Sequence, residues 1–249
     1  MTRAEYLVHL SNQKEIIMNK TWLKRLGAAS GVLYVVLAII GSSGNDTDPG
    51  FNATPQVITA WAKSVQLTPS FWISPYIELL GLLFFLVFVA YLYSVLSRAE
   101  GAFGWLSATV FASGIATVVL KLTAFPIAAS AFARAADGFN PQVLAILWDM
   151  DNISLLPTLA TQAFLLGAAA IVILRAKALP AWLGWSAAVI AVILLGTVPV
   201  AFFNAIPVQL IPLLWVLVAS IVLILRAGKV QESRIGTKQQ VDEQSVVMR

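Results

Sequence analysis

The sequence predicts an all-α membrane protein, a polytopic bundle of six transmembrane helices with both termini in the cytoplasm. Three observations lead to this fold class: the composition, six long apolar runs, and an uneven distribution of Lys and Arg. Of the 249 residues, 59% are hydrophobic and 11% are charged, and the mean hydropathy is +0.84. Soluble domains are about half apolar and about one quarter charged. A composition this apolar therefore indicates an integral membrane protein.

Six apolar runs are long enough to cross a hydrocarbon core, which takes about 20 helical residues. They lie at about 25–43, 75–97, 103–124, 152–174, 181–203 and 207–226. The first run follows basic residues, as in a signal peptide, but the residues at 41–44 offer no small-residue cleavage site of the usual kind. We therefore expect a retained signal anchor and one transmembrane domain, residues 22–227. A polar leader, residues 1–21, precedes it, and a polar cytoplasmic tail, residues 228–249, is predicted to be disordered.

The basic residues predict the orientation of the bundle. With the N-terminus inside, only Lys63, Lys121 and Arg134 of the 16 Lys and Arg residues lie on the outer side. Cytoplasmic loops carry an excess of Lys and Arg. This bias predicts that both termini are cytoplasmic, and we expect a multi-pass protein of the inner (plasma) membrane.

The leader allows two interpretations. The stretch from Met18 to Arg25 is typical of the start of a membrane protein, which predicts that residues 1–17 are a dispensable extension. The alternative is an amphipathic helix at the membrane surface, a class that needs an apolar face. Its apolar face is formed by Tyr6, Leu7, Leu10, Ile16 and Ile17.

Two outer loops carry helix signals of their own. In the first, Thr54 and Pro55 suit an N-cap and a first turn, and apolar residues recur from Val57 to Val65 at helical spacing. In the second, the mostly apolar stretch 128–136 precedes a turn at 137–141. We expect short helices in both loops, lying along the outer membrane surface. The short inner connections at 98–102 and 175–180 predict antiparallel neighbouring helices.

The composition also limits the chemistry. The chain has no Cys and one His, His9, in the leader. This argues against disulfides, haem ligation and zinc sites, and no cofactor is expected. The net charge of +4 comes from basic residues at the ends of apolar runs rather than on one face, so no nucleic-acid partner is expected.

A polar stripe on the fourth predicted helix is the leading candidate site. At 100° per residue its members fall within an arc of about 100° and extend over about 16 Å. Pro157 has no N–H, so it frees the carbonyl of Ile153 beside the stripe. The members are Asp151, Ser154, Thr158, Thr161 and Gln162.

Two charges on neighbouring helices are predicted at the same outer level. Glu78 lies on the second helix and Lys121 on the third. A charge at membrane depth costs about 2.5–3.5 kcal/mol on insertion scales, so we expect partners. Lys121 with Asp151 or with Glu78 is the natural pairing.

A purely structural interpretation competes with a site. It places Glu78 in the first turn of its helix, Asp149 and Asp151 at the start of the fourth helix, and Lys121 in the last turn of the third. Each charge then complements a helix dipole, and the Ser and Thr hydroxyls bond to their own helices.

No catalytic constellation is evident. Asp149 and Asp151 lie on opposite faces of a regular helix, so they do not form an acid–base pair. The chain has no phosphate-binding loop, no dinucleotide fingerprint and no zinc-protease motif.

The opening from Lys24 to Tyr34, an acidic outer loop after it, and six spans in all resemble uncharacterised bacterial multi-pass proteins that share a domain of unknown function. The resemblance covers most of residues 20–228. It is one of layout, so it implies a six-helix inner-membrane protein and transfers no functional residue.

Three functions remain open from the sequence. The first is binding or transport of a small solute or ion, with Asp151 as the binding carboxylate, Lys121 as its counter-ion, and Thr158 and Gln162 lining the path. The second is a non-catalytic subunit of a larger membrane complex, or a homo-oligomer, in which the polar stripe and exposed aromatics such as Phe84, Phe85 and Phe88 contact a partner. The third is an enzyme acting on lipid or isoprenoid substrates, with an outer carboxylate as base. The lipid bilayer is a partner in all three.

Overall fold

The computed structural model describes residues 3–42, 49–50, 53–65, 69–199 and 208–227, and all regular structure within these ranges is helical. The expected disordered tail lies outside the described residues. The helices are α1 (Arg3–Ser42), α2 (Pro55–Val65), α3 (Pro69–Glu100), α4 (Trp105–Ala133), α5 (Pro141–Ile153), α6 (Leu155–Ala176), α7 (Ala181–Thr197) and α8 (Val208–Ala227).

Five stretches of helix are long and apolar enough to cross a membrane. They are Trp22–Ser42, Trp72–Glu100, Trp105–Ala124, Pro141–Ala176 and Val208–Ala227. The chain is therefore all-α, with several apolar helices of the kind that make a multi-pass membrane protein. The run predicted at 181–203 contains α7, which has 17 residues and reaches about 25 Å at 1.5 Å per residue. Residues 200–207 lie outside the described part of the chain, so the six-span count and the position of the termini stay predictions.

Three predicted helix starts were wrong. The first helix, expected from about residue 25, begins at Arg3 and includes most of the polar leader. The helix expected from residue 75 begins at Pro69, with Pro75 inside it. The helix expected from residue 152 is replaced by α5 and α6. Helix α5 begins at Pro141 because the side chain of Asn140 accepts a hydrogen bond from the N–H of Gln142 at 2.9 Å, which caps the helix.

The outer loops were predicted in part. Helix α2 is present where the Thr54–Pro55 signal placed it. The stretch 128–136 does not form a separate helix, because α4 continues through Pro126 to Ala133 and a short 3-10 turn follows at Ala135–Asp137. Gly138, with φ of 79°, makes the turn that precedes α5.

The helices pack around two apolar cores. The larger core contains buried residues of α1, α3, α4, α6, α7 and α8, and α3 packs on α4 and α6 on α7, as the short connections predict. The smaller core joins α2, α5 and the end of α4. Its members include Ile58, Phe132, Leu144 and Trp148.

Helices α1 and α3 meet along what we call the glycine seam. A Cβ on Gly31 would clash with Oγ of Ser220 on α8 and would lie 2.7 Å from Cδ2 of Phe88 on α3, and one on Gly27 would lie 2.8 Å from Cγ of Tyr91. Such distances are too short for real side chains. Glycines four residues apart let membrane helices approach closely, and this spacing is readable in the sequence.

Candidate functional site

The helical chain is interrupted at Ser154, in the middle of the predicted polar stripe. Ser154 ends α5 and precedes α6, and its N–H is shared among the carbonyls of Met150, Asp151 and Asn152. Pro157, three residues later, has no N–H to donate to Ile153. The interruption leaves the backbone irregular where a solute could reach its carbonyls, a feature found at membrane-protein binding sites.

The hydroxyl groups after the interruption form a continuous set of hydrogen bonds. Ser154 Oγ donates to the carbonyl of Asp151 at 2.6 Å, and Thr158 Oγ1 donates to the carbonyl of Ser154 at 2.8 Å. Thr161 Oγ1 lies 2.9 Å from the carbonyl of Thr158. Thr158 is 2% exposed, so this part of the stripe faces the interior of the bundle and not lipid.

Helix α4 supplies the facing side. Thr117 Oγ1 lies 2.8 Å from Thr161 Oγ1 and 2.9 Å from the carbonyl of Ser113. Ser113, Thr117 and Lys121 are four residues apart and share one face of α4. We call this contact between α4 and α6 the hydroxyl seam. The spacing of Ser113, Thr117 and Lys121 is readable in the sequence.

The central contact of the hydroxyl seam has more acceptors than protons. Thr117 and Thr161 each have a carbonyl within reach and each lies within reach of the other. A hydroxyl donates one hydrogen, so two hydrogens serve three contacts. In one arrangement Thr117 donates to the carbonyl of Ser113 and Thr161 donates to the hydroxyl of Thr117. In the other, Thr117 donates to the hydroxyl of Thr161, and Thr161 donates to the carbonyl of Thr158. The pair therefore has two arrangements of similar geometry.

The three candidate charges lie near enough to one another to interact. Asp151 is half-buried, and the charges of Lys121 and Glu78 both act on its carboxylate. Among the described residues these three side chains form no direct ion pair, so the interaction acts over a distance beyond 4 Å. Two carboxylates and one ammonium leave a net negative charge when all three are ionised.

The helix dipoles do not account for these charges as the structural interpretation proposed. Lys121 is inside α4, which continues to Ala133, and Glu78 is inside α3, which begins at Pro69. Asp149 and Asp151 lie at the end of α5 rather than at the start of a helix. The dipole stabilises charges only within the first or last turn, and it favours cations at a C-terminus. The expected complementarity was therefore wrong for all four residues.

Gln162 completes the stripe as a half-buried side chain on α6, one residue after Thr161. Its neighbour on the same stripe, Thr158, lies one turn earlier and is buried. Among the described residues, no group of three or more potential metal ligands comes together.

An aromatic cluster forms part of the smaller core. The ring of Trp148 lies 5.1 Å from that of Trp61 and 5.5 Å from that of Phe132. Trp148 is buried, and its Nε1 is the buried side-chain donor that lacks a hydrogen-bond partner within the described part of the chain. Helix α5 thus connects this cluster directly to Asp151, one turn further on.

The aromatic residues proposed as partner contacts are mostly internal. Phe85 and Phe88 are buried, and Phe85 packs against Tyr34 at 4.7 Å between ring centroids. Only Phe84 of the three is exposed. The expectation that all three are exposed was wrong, because α1 covers this side of α3 along the glycine seam.

No known protein family, curated protein or solved structure matches this chain. The resemblance to six-helix proteins of unknown function therefore remains one of layout, and the argument for function rests on the geometry of the site.

Proposed function

We propose that this protein binds and transports a small cation or cationic solute through the hydroxyl seam between α4 and α6. Asp151 is the binding carboxylate, Lys121 is its counter-ion, and Thr158, Thr161 and Gln162 line the path. The observation that carries this proposal is the position of Glu78, Lys121 and Asp151. Each charge lies where its own helix dipole does not stabilise it, and Lys121 and Glu78 both act on the carboxylate of Asp151.

The cost of such charges supports a functional role. Ionisable side chains within membrane helices are expensive and usually mark a substrate or ion pathway. The excess of one carboxylate over the ammonium favours a cation as the ligand. The carbonyl oxygen of Ile153, which Pro157 leaves without its helical donor, is together with the threonine hydroxyls a suitable ligand for a cation that has lost part of its water shell.

The burial of the stripe favours a path over a partner surface. Thr158 is buried and Thr161 bonds across to Thr117 within the same chain. A stripe that contacted another subunit would instead be open on the isolated chain. An accessory subunit remains the alternative function, and it requires a different contact surface.

The first test replaces Asp151 by Asn in the full chain reconstituted into phospholipid vesicles. Labelled sodium and rubidium ions and an enclosed pH-sensitive dye report cation and proton flux. We expect the native chain to increase the flux of at least one of them, and Asp151→Asn to reduce it to the level of protein-free vesicles, because the amide removes the negative charge without changing the shape.

Asp149→Asn is the matched control, since it removes the same charge two residues away on the opposite face of α5. Flux in this control should equal that of the native chain. A folded Asp151→Asn protein with native flux contradicts the proposal, as does an equal loss in Asp149→Asn. Absence of flux of all three ions from the native chain contradicts it as well.

A second test separates a path from a partner surface. Thr158→Val together with Gln162→Leu removes the polar groups with little change in volume, so the helix packing should persist. We expect this variant to lose flux while the set of proteins that co-purify with it from native membranes stays the same. Loss of co-purifying proteins in fixed ratio, with no change in flux, indicates the accessory-subunit function instead.

A further inference from the structure

Three basic residues lie close together at the end of the bundle where α6 and α8 finish. Arg226 donates a hydrogen bond from Nη1 to the carbonyl oxygen of Ala178 at 2.5 Å. Ala178 directly follows Lys177 and lies three residues after Arg175. Three residues span at most about 11 Å, so the backbones of Arg175 and Lys177 both lie within about 11 Å of the carbonyl that Arg226 contacts. We call these three residues the basic cluster.

Within the part of the chain that the structure describes, few acidic residues lie near the basic cluster. The sequence contains no Asp or Glu between Asp151 and Glu232. Glu100, near the start of α4, lies at the same end, because α4 and α6 run in opposite directions. Its carboxylate already accepts hydrogen bonds from the N–H groups of Leu106 and Ser107. Arg175, Lys177 and Arg226 are all exposed, and the hydrogen bond to Ala178 uses one of the N–H donors of the Arg226 guanidinium.

The backbone at Lys177 is a second, independent observation. Lys177 has φ of 52° and is the only non-glycine residue with positive φ in the described ranges. This position after a helix end is usually glycine, because an L side chain is strained there. Lys177 therefore adopts a strained backbone conformation next in sequence to Ala178, the residue that Arg226 contacts.

An apolar surface begins next to the basic cluster. Trp182 and Trp185, in the first turns of α7, are 54% and 64% exposed, and Val192 is 71% exposed further along the same helix. On α8, Leu225 precedes Arg226 and is also exposed. Helices α7 and α8 are joined by a hydrogen bond from Trp215 Nε1 to the carbonyl of Leu183 at 3.2 Å. Exposed Trp residues between charge and apolar surface are typical of a membrane interface.

We infer that the basic cluster is a binding site for the phosphate headgroup of an anionic phospholipid, with the acyl chains against the exposed faces of α7 and α8. A general excess of basic residues at this end would orient the protein without bringing three of them together. Basic pockets between membrane helices recognise such headgroups through charge and hydrogen bonds. This site lies at the opposite end of α6 from Asp151, so it does not depend on the proposed transport function.

The test uses the full chain in detergent, with bound phosphatidylglycerol counted by native mass spectrometry over a range of lipid concentrations. The variant Arg175→Gln, Lys177→Gly, Arg226→Gln should weaken the tightest phosphatidylglycerol binding by about fivefold for each lost cation. Arg98→Gln is the matched control, because Arg98 is exposed at the same end but lies on α3, outside the cluster. Its affinity should be close to that of the native chain.

Phosphatidylcholine and inorganic phosphate identify the source of the phosphate. Both should bind much more weakly than phosphatidylglycerol, the first because its headgroup has no net charge and the second because it has no acyl chains. Equal binding of phosphatidylcholine, or of inorganic phosphate, overturns the proposal. So does a loss in Arg98→Gln as large as that in the triple variant.

Lys177→Gly keeps the proposal testable if the triple variant does not fold. Glycine adopts positive φ without strain, so this variant should have a melting temperature at least as high as the native chain. Its affinity for phosphatidylglycerol should nevertheless fall by about fivefold. Native affinity in this variant contradicts the inference.

Discussion

The glycine seam and the hydroxyl seam join pairs of helices in opposite ways. Along the glycine seam, α1 and α3 approach so closely that Gly31 has no room for a Cβ beside Phe88. Along the hydroxyl seam, α4 and α6 leave space for threonine side chains that bond across it at 2.8 Å. The glycine seam forms where side chains are absent, and the hydroxyl seam forms where polar side chains meet.

The difference between the two seams indicates which pair of helices is expected to move. Lipid is as apolar as leucine, so membrane helices associate through close packing and through hydrogen bonds. The glycine seam depends on packing alone and has one geometry. The hydroxyl seam has two arrangements of its hydrogen bonds, an interrupted helix and three charges nearby. We expect motion and ligand exchange at the hydroxyl seam and rigidity at the glycine seam.

The largest effect on stability is expected when the glycine seam is opened. Gly31→Ala places a Cβ against Oγ of Ser220 on α8 and against the ring of Phe88, and both of these side chains are 0% exposed. Overpacking of this kind costs about 1–3 kcal/mol. The free energy of unfolding in mixed micelles, followed by tryptophan fluorescence with increasing SDS, should fall by this amount.

Gly167→Ala is the control for that substitution. A Cβ on Gly167 of α6 meets only Cβ of Ala191, at an ordinary 3.8 Å. Replacing a helical glycine by alanine then favours the helix by about 0.5–1 kcal/mol. We expect the free energy of unfolding to fall in Gly31→Ala and to rise in Gly167→Ala. A rise in Gly31→Ala would show that the glycine seam is not closely packed.

A smaller effect is expected at the hydroxyl seam. Thr117→Val keeps the shape and removes one partner of Thr161, which still donates to the carbonyl of Thr158. Interhelical hydrogen bonds in membranes contribute about 0.6 kcal/mol on average. The coupling between Thr117→Val and Thr161→Val, measured as a double-mutant cycle in the same micelles, should have this size.

Thr123→Val tests whether the effect depends on the partner helix. The Thr123 hydroxyl is exposed and bonds only to carbonyls of its own helix, those of Val119 and Leu120. Its replacement should change the free energy of unfolding less than Thr117→Val does. A coupling near zero between Thr117 and Thr161, or an equal loss in Thr123→Val, contradicts the role given to the hydroxyl seam.

The local parts of the site were predictable because they depend on spacing along one helix. The stripe from Asp151 to Gln162 follows from the helical period, and Pro157 predicted a disturbance of the backbone there. Thr117 was missed although its spacing to Lys121 was readable, because nothing in a single sequence states which face of α4 meets α6. The start of α5 was missed because Asn140 was assigned to a turn and not recognised as an N-cap.

The sequence by itself determined that the chain is helical and apolar enough for a membrane, since composition and run length are properties of the chain alone. Tertiary structure decided which polar residues meet, which aromatics are buried, and how closely α1 approaches α3. The physical reason is that these depend on distances between residues far apart in sequence. The positions of helix ends depend on both the local sequence and the tertiary structure. Helix α4 continues past its predicted end, where Phe132 packs against Trp148, and this extension leaves Lys121 inside its helix.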